Sequence, residues 1–213
     1  DSKNRFWIGD YTRISRLEGK KLKTYKTPYF SGTYDRSVFF HEDKNGNVIA
    51  ISHDTYLFKY DEKADTFSVL NTNTNKVVYT SGVQVKNDYF ILGTSGGVYR
   101  LYYNGDYTQF RLQLMSENLN VSWIEPYING LYIVSTFNAG LFIYDDESGI
   151  FTPIAPELAG ISINKVKYDS FRDLIWVGTN SGLFLLKKYM FDGFLISSNF
   201  NDMTSDYISF ISD

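Results

Sequence analysis

The chain has 213 residues, a formal net charge of −3 with both signs interspersed, and no cysteine. Those features exclude disulfides and thiolate metal sites and argue against nucleic acid as a partner. No apolar run approaches the ~20 residues of a membrane helix, so direct membrane insertion is not expected, and no signal peptide opens the chain.

In chain order, Phe6 to Gly9 reads as a strand, with Arg13 to Leu17 as its partner. Glu18 to Lys20 then turns the chain into an outer strand ending near Tyr25, where Lys20, Lys21, Lys23 and Lys26 suit a solvent-exposed edge. After a polar loop, Val38 to His41 and Val48 to Ile51 flank Asp43-Lys44-Asn45-Gly46-Asn47, a strong hairpin signal. The acidic and amide spacing there partly mimics a calcium loop. Gly46 stands one place early, however, and no closing glutamate follows, so a turn is expected and no metal or cofactor. Tyr56 to Tyr60 and Thr66 to Leu70 complete this unit. Three further units follow the same scheme, with turns at Lys86-Asn87-Asp88, Asn104-Gly105 and Asn129-Gly130. Helical periodicity is nowhere convincing.

The last unit contains LIWVGTNSGLFLL, from Leu174 to Leu186, and this two-strand segment recurs along the chain. Its second strands start near Phe6, Val48, Tyr89, Leu131 and Leu174. The small residues closing them, Gly9, Ser52, Gly93, Ser135 and Gly178, stand 41 to 43 residues apart. A period of about 42 with paired hairpins implies an all-β fold, a β-propeller of five repeats forming one domain over residues 1–213. Tyr207 to Ile211 reads as a first strand without a second, and the head as a second strand without a first. The tail strand would then complete the first blade of a closed five-bladed ring. The alternative is a fragment of a larger propeller.

Loops following the second strands, and links between units, should share one face of such a fold. Saccharide recognition needs an aromatic face for C–H groups and amides or guanidinium groups for hydroxyls. The candidates are Tyr11, Arg13, Tyr34, Arg36, His53, Phe137, Asn138 and Asn180. A glycosidase needs two facing carboxylates. Asp10 and Asp54 occupy such loops in units one and two, but TSGG, TFNAG and TNSG in the later units carry no acid. The two histidines, His41 and His53, also offer little to a metal. No catalytic residue is identified. Three classes remain: a non-catalytic ligand-sensing module, which is preferred; a protein-interaction or dimerisation scaffold; and, behind both, a propeller glycosidase or lyase.

The motif NRFWIGDYTRISRL, together with LIWVGTNSGLFLL, resembles the two-component regulator propeller repeat. Trp7 and Trp176 match its hallmark tryptophan, read as packing between blades. In unit two Ala50 stands for that tryptophan and His53 for the following threonine. In that family the repeats form the periplasmic sensor region of hybrid histidine kinase/response regulator proteins, which often control glycan-degradation loci. The resemblance implies a periplasmic module, an oligosaccharide ligand and the remainder of a parent sensor kinase as partner; a homodimer is a further option under the scaffold reading. Any kinase activity would lie outside these residues.

Overall fold

The computed structural model describes residues 1–9, 13–26, 38–52, 56–70, 78–85, 89–189 and 193–200, with side chains through Lys187. They form 19 strands and one short 3-10 turn, Pro156–Leu158. Sheet one holds β1 (Phe6–Gly9), β2 (Ile14–Glu18) and β3 (Lys21–Tyr25). Sheet two holds β4 (Val38–Glu42), β5 (Val48–Ser52), β6 (Leu57–Asp61) and β7 (Thr66–Leu70). Sheet three holds β8 (Tyr79–Val85), β9 (Tyr89–Thr94), β10 (Gly97–Tyr103) and β11 (Phe110–Glu117). Sheet four holds β12 (Val121–Pro126), β13 (Leu131–Thr136), β14 (Leu141–Asp145) and β15 (Phe151–Ile154). Sheet five holds β16 (Ile163–Asp169), β17 (Leu174–Thr179), β18 (Gly182–Tyr189) and β19 (Gly193–Phe200). In every sheet, neighbours in sequence are neighbours in space. The tail strand expected at Tyr207–Ile211 and the turn at Lys86–Asp88 lie outside the described residues.

Two compact units result: Asp1–Leu92 with Arg100–Gln113, and Gly93–Tyr99 with Leu114–Asp213. In the first, sheets one and two pack through rings. Phe58, Tyr60, Phe67 and Tyr25 are buried, and Trp7 lies among them with Phe40. The Trp7 ring centroid is 4.9 Å from Tyr60 and 5.5 Å from Phe67, both edge-on, the arrangement that the ring quadrupoles favour. Trp7 is thus an inter-sheet packing residue. In the second unit, sheets four and five pack through a mainly aliphatic core that includes Ile133, Leu141, Ile163, Val166, Ile175, Val177 and Leu186. Trp176 lies between Ile175 and Val177 in β17, half-buried, with Lys167 and Leu185 opposite it in cross-strand register.

Strand β5 explains why the second strands read as unbroken apolar runs rather than alternations. Val48, Ile49, Ala50, Ile51 and Ser52 are all buried, so neither face of the strand meets water. In β12 and β16 the register slips at equivalent positions, between Val121 and Trp123 and between Ile163 and Lys165. The extra residues are Ser122 and Asn164. A bulge rephases the alternation, so Val121 and Ile124, and likewise Ile163 and Val166, are buried at a spacing of three. The hairpin at Asn129-Gly130 has φ of 48° and 79°, the pair of left-handed residues that a tight two-residue turn demands. In the Asp43 turn, one carboxylate oxygen accepts the Asn45 and Asn47 backbone N–H groups, and the other accepts Asn47 Nδ2 and Tyr107 Oη. That carboxylate caps a turn and ties sheet two to Tyr107.

Candidate ligand-binding face

Four of the second strands, β5, β9, β13 and β17, end on a hydroxyl that closes the following loop. Thr94 Oγ1 donates to the Gly97 carbonyl at 2.9 Å and accepts the Gly96 N–H. Thr136 does the same with Gly140 and Ala139, and Thr179 with Gly182 and Ser181. All three threonines are buried, so both roles of the hydroxyl are met inside the protein. In sheet two Ser52 Oγ donates to the Tyr56 carbonyl at 3.1 Å. This corrects one alignment drawn from the sequence. Ser52, not His53, takes the threonine's place. The structural period is read from Ser52, Thr94, Thr136 and Thr179, not from the small residues before three of them.

These loops are joined by backbone bonds to the links between sheets. Phe137 N–H donates to Asn120 O at 2.9 Å, Asn118 N–H to Gly96 O at 3.0 Å, and Asn180 N–H to Ser162 O at 3.3 Å. Loops and links therefore do share an end of the sheets in the second unit. Of the expected site residues, Phe137 and Asn138 lie together on the β13–β14 loop, exposed, with Phe137 at 36%. Asn180 is exposed on the β17–β18 loop, where its Oδ1 accepts Asn164 Nδ2 at 2.9 Å. Arg13 is exposed just before β2 and belongs to the other compact unit. Tyr11, Tyr34, Arg36 and His53 lie outside the described residues. Asn164, not expected from the sequence, joins the group because the β16 bulge sets it beside Asn180.

A second set of residues also escaped the sequence reading. Lys165 Nζ stands 4.2 Å from the Trp123 ring centroid. Glu125, buried, accepts Trp123 Nε1 at 3.3 Å and the Tyr168 N–H at 3.3 Å, and pairs with Lys167 Nζ at 3.2 Å. Burial holds the Lys165 ammonium below its usual pKa; Glu125 opposes that effect and Lys167 adds to it. One signal could have found these contacts. Trp123 and Lys165 are one period apart, as are Glu125 and Lys167, and residues one repeat apart become neighbours in adjacent sheets.

The first unit holds a groove of about 410 Å³, lined by Asn4, Arg5, Arg16, Leu17, Glu18, Tyr60, Glu62 and Asp65. Its charges answer one another. Arg16 pairs with Glu18, donates to Tyr60 Oη at 2.6 Å and lies 3.4 Å from Asp65. Arg5 pairs with Asp1 at 2.6 Å and with Glu62 at 3.6 Å. Asp65 also pairs with Lys23 and accepts the hydroxyls of Tyr25 and Tyr60. Lys23 foremost, then Tyr60, hold the Asp65 carboxyl well below the usual range. Burial, then the bond to Asp65, pushes the Tyr25 phenol up. Lys23 is therefore a cross-brace rather than only an edge charge, and the groove is a network binding sheet one to sheet two.

No family model matches the sequence, and no curated protein matches it either. Solved structures do. The extracellular domain of the one-component system BT4673 from B. thetaiotaomicron superposes with a TM-score of 0.69 at 19% identity, over 94% of this chain and 31% of that one. The extracellular domain of the hybrid two-component system BT3049 from the same organism gives 0.67 at 16% identity, over 92% and 28%. Virginiamycin B lyase from Staphylococcus aureus gives 0.72 at 13% identity, over 97% and 69%. The chain is thus an all-β protein of propeller-like fold, similar to extracellular sensor domains, and spans less than a third of the two bacterial sensor domains named.

Proposed function

We propose that this chain is a non-catalytic ligand-sensing module, a β-propeller whose blades are the five sheets, working outside the cytoplasm as part of a larger signalling protein. Its ligand is a saccharide, held at the loop end of the second unit. The observation that carries this reading is the exposed Phe137 next to Asn138 on one threonine-closed loop, with the Asn164–Asn180 amide pair at the loop end of the neighbouring sheet. An aromatic face with several amides suits sugar C–H groups and hydroxyls. The loops Thr94–Gly97, Thr136–Gly140 and Thr179–Gly182 contain no acid or histidine to drive glycoside cleavage. The likeness to extracellular sensor domains supports the sensing role, although a lyase shares the fold and fold alone does not fix function.

A thermal-shift screen against oligosaccharides tests this, because a ligand of the folded state raises the melting temperature by mass action. A dose-dependent shift that Phe137→Ala and Asn138→Ala both diminish is the expected result. A hit that binds both variants unchanged would place the site elsewhere. Incubating the hit with the protein should leave it uncleaved.

One observation favours a second reading, the interaction scaffold. Phe6, Leu17 and Leu22 stand opposite one another across β1, β2 and β3, with exposures of 59, 41 and 56%. Such a ladder is a surface that another protein could cover. Leu22→Lys should leave saccharide binding intact and abolish any self-association seen by light scattering.

A further inference from the structure

The ligand's chemical class can be narrowed by one side chain with an unanswered charge. In the second unit Glu125 is fully engaged, by Lys167, by Trp123 Nε1 and by the Tyr168 N–H. Lys165, on the neighbouring strand, lies over the Trp123 ring instead. Among the described residues, no carboxylate reaches it at ion-pair distance and no acceptor takes its protons. The indole face recovers part of the electrostatic cost of a half-buried ammonium, but offers no hydrogen-bond acceptor. Asn164, which reaches Asn180, immediately precedes Lys165 at the bulge, so the cation and the amide pair are anchored at adjacent backbone positions near the loop end of β16. One carboxylate, Glu125, thus stands against two ammonium groups, Lys165 and Lys167, and only Lys167 is paired with it, so the surplus charge here is positive.

We propose that Lys165, seated on Trp123, is the anion-binding end of this face, and that the saccharide it takes carries an oxyanion, either a uronate carboxylate or a sulfate ester. The proposal rests on the saccharide reading above and deepens it. A carboxylate or sulfate oxygen accepts from the Lys165 ammonium while Asn164 and Asn180 meet the neighbouring hydroxyls. The ammonium is held on one side by an aromatic ring, so little side-chain freedom is lost on binding.

The test titrates the chain, by calorimetry, with oligosaccharides in matched pairs: a uronate oligosaccharide against its methyl ester, and a sulfated oligosaccharide against its desulfated parent. The charged member of one pair should bind about tenfold or more tighter than its neutral partner. Lys165→Met should erase that difference, and Lys165→Arg should retain most of it. The pair that responds separates carboxylate from sulfate. In the wild type the advantage should shrink as salt rises, a readout independent of any variant's folding. If charged and neutral members bind alike, or if Lys165→Met binds the charged member unchanged, the oxyanion assignment is overturned while the saccharide reading stands. If no member of any pair binds, both are overturned.

Discussion

Two pairs of neighbouring sheets solve one packing problem with different chemistry. Sheets one and two meet through Trp7, Tyr25, Phe40, Tyr60 and Phe67, with Arg5 and Arg16 over the rings. Sheets four and five meet mainly through isoleucine, valine and leucine, with the Tyr127–Tyr168 pair beside that core and Lys165 on the Trp123 ring. The repeat therefore preserves positions that face a neighbour, not the residues that occupy them. The same holds for the polar bridges. His41 Nε2 lies 2.9 Å from the Gly82 carbonyl, while two periods later Glu125 accepts the Tyr168 N–H. Both groups reach from one first strand to the backbone of the next, one as an imidazole and the other as a carboxylate.

Core truncation should have the largest effect in both packings. Phe58→Ala in the ring-packed pair should cost about 3–5 kcal/mol, and Leu186→Ala in the aliphatic pair about 2–5 kcal/mol, both read from denaturant melts. A Phe58→Ala loss near 1 kcal/mol would mean that the aromatic pair is loosely packed and that the contrast drawn here fails.

The bridges should differ in their response to acid. Burial holds His41 neutral in the folded chain down to about 4, whereas its unperturbed value is 6.5. Between those values the unfolded chain binds the extra proton. Stability should therefore fall as pH drops from about 6.5 to about 4, by up to about 3 kcal/mol. His41→Gln should flatten that part of the pH profile. A wild-type profile that is already flat there would show that His41 is protonated in place.

The loop closures are expected to matter less. Thr179→Val removes a buried donor and leaves the Ser181 N–H without its acceptor, at a cost of about 1–2 kcal/mol. Thr136→Val should match it, because the geometry is the same. The smallest effect belongs to the cross-braces of the first unit. Asp65→Asn should change stability by about 1 kcal/mol or less, and the change should shrink in high salt, since the partners are partly exposed.

How much of this was legible in the sequence follows from what repetition reveals. Short apolar runs around Asn-Gly and Gly-containing turns locate strands, because hairpin chemistry is local. The second-strand loops and the links could be placed at one end for the same reason. The equivalence of Ser52 with Thr94 was missed because small residues were aligned, whereas the conserved act is a hydroxyl bonding to a carbonyl three or four residues on. Asn164 and Lys165 were missed because a bulge shifts the alternation by one residue, and an apolar-polar pattern carries no mark of that. Lys23 with Asp65, and Trp123 with Lys165, could have been found by comparing each residue with the one a full period later. That comparison serves a repeat protein as the i, i+4 comparison serves a helix.

The hydroxyl closure has an evolutionary consequence. It closes the base of the loop from within, spanning three residues from Thr94 and Thr179 but four from Ser52 and Thr136, while the bonds that tie Gly96, Phe137 and Asn180 to the links between sheets use backbone atoms. The sheet therefore does not register what lies between the closing atoms, nor whether one residue is added or lost. Each loop behaves as an exchangeable cassette on an indifferent frame. A lineage, or a library, could rewrite residues such as Phe137 and Asn138 one blade at a time, acquiring a new ligand without renegotiating the fold.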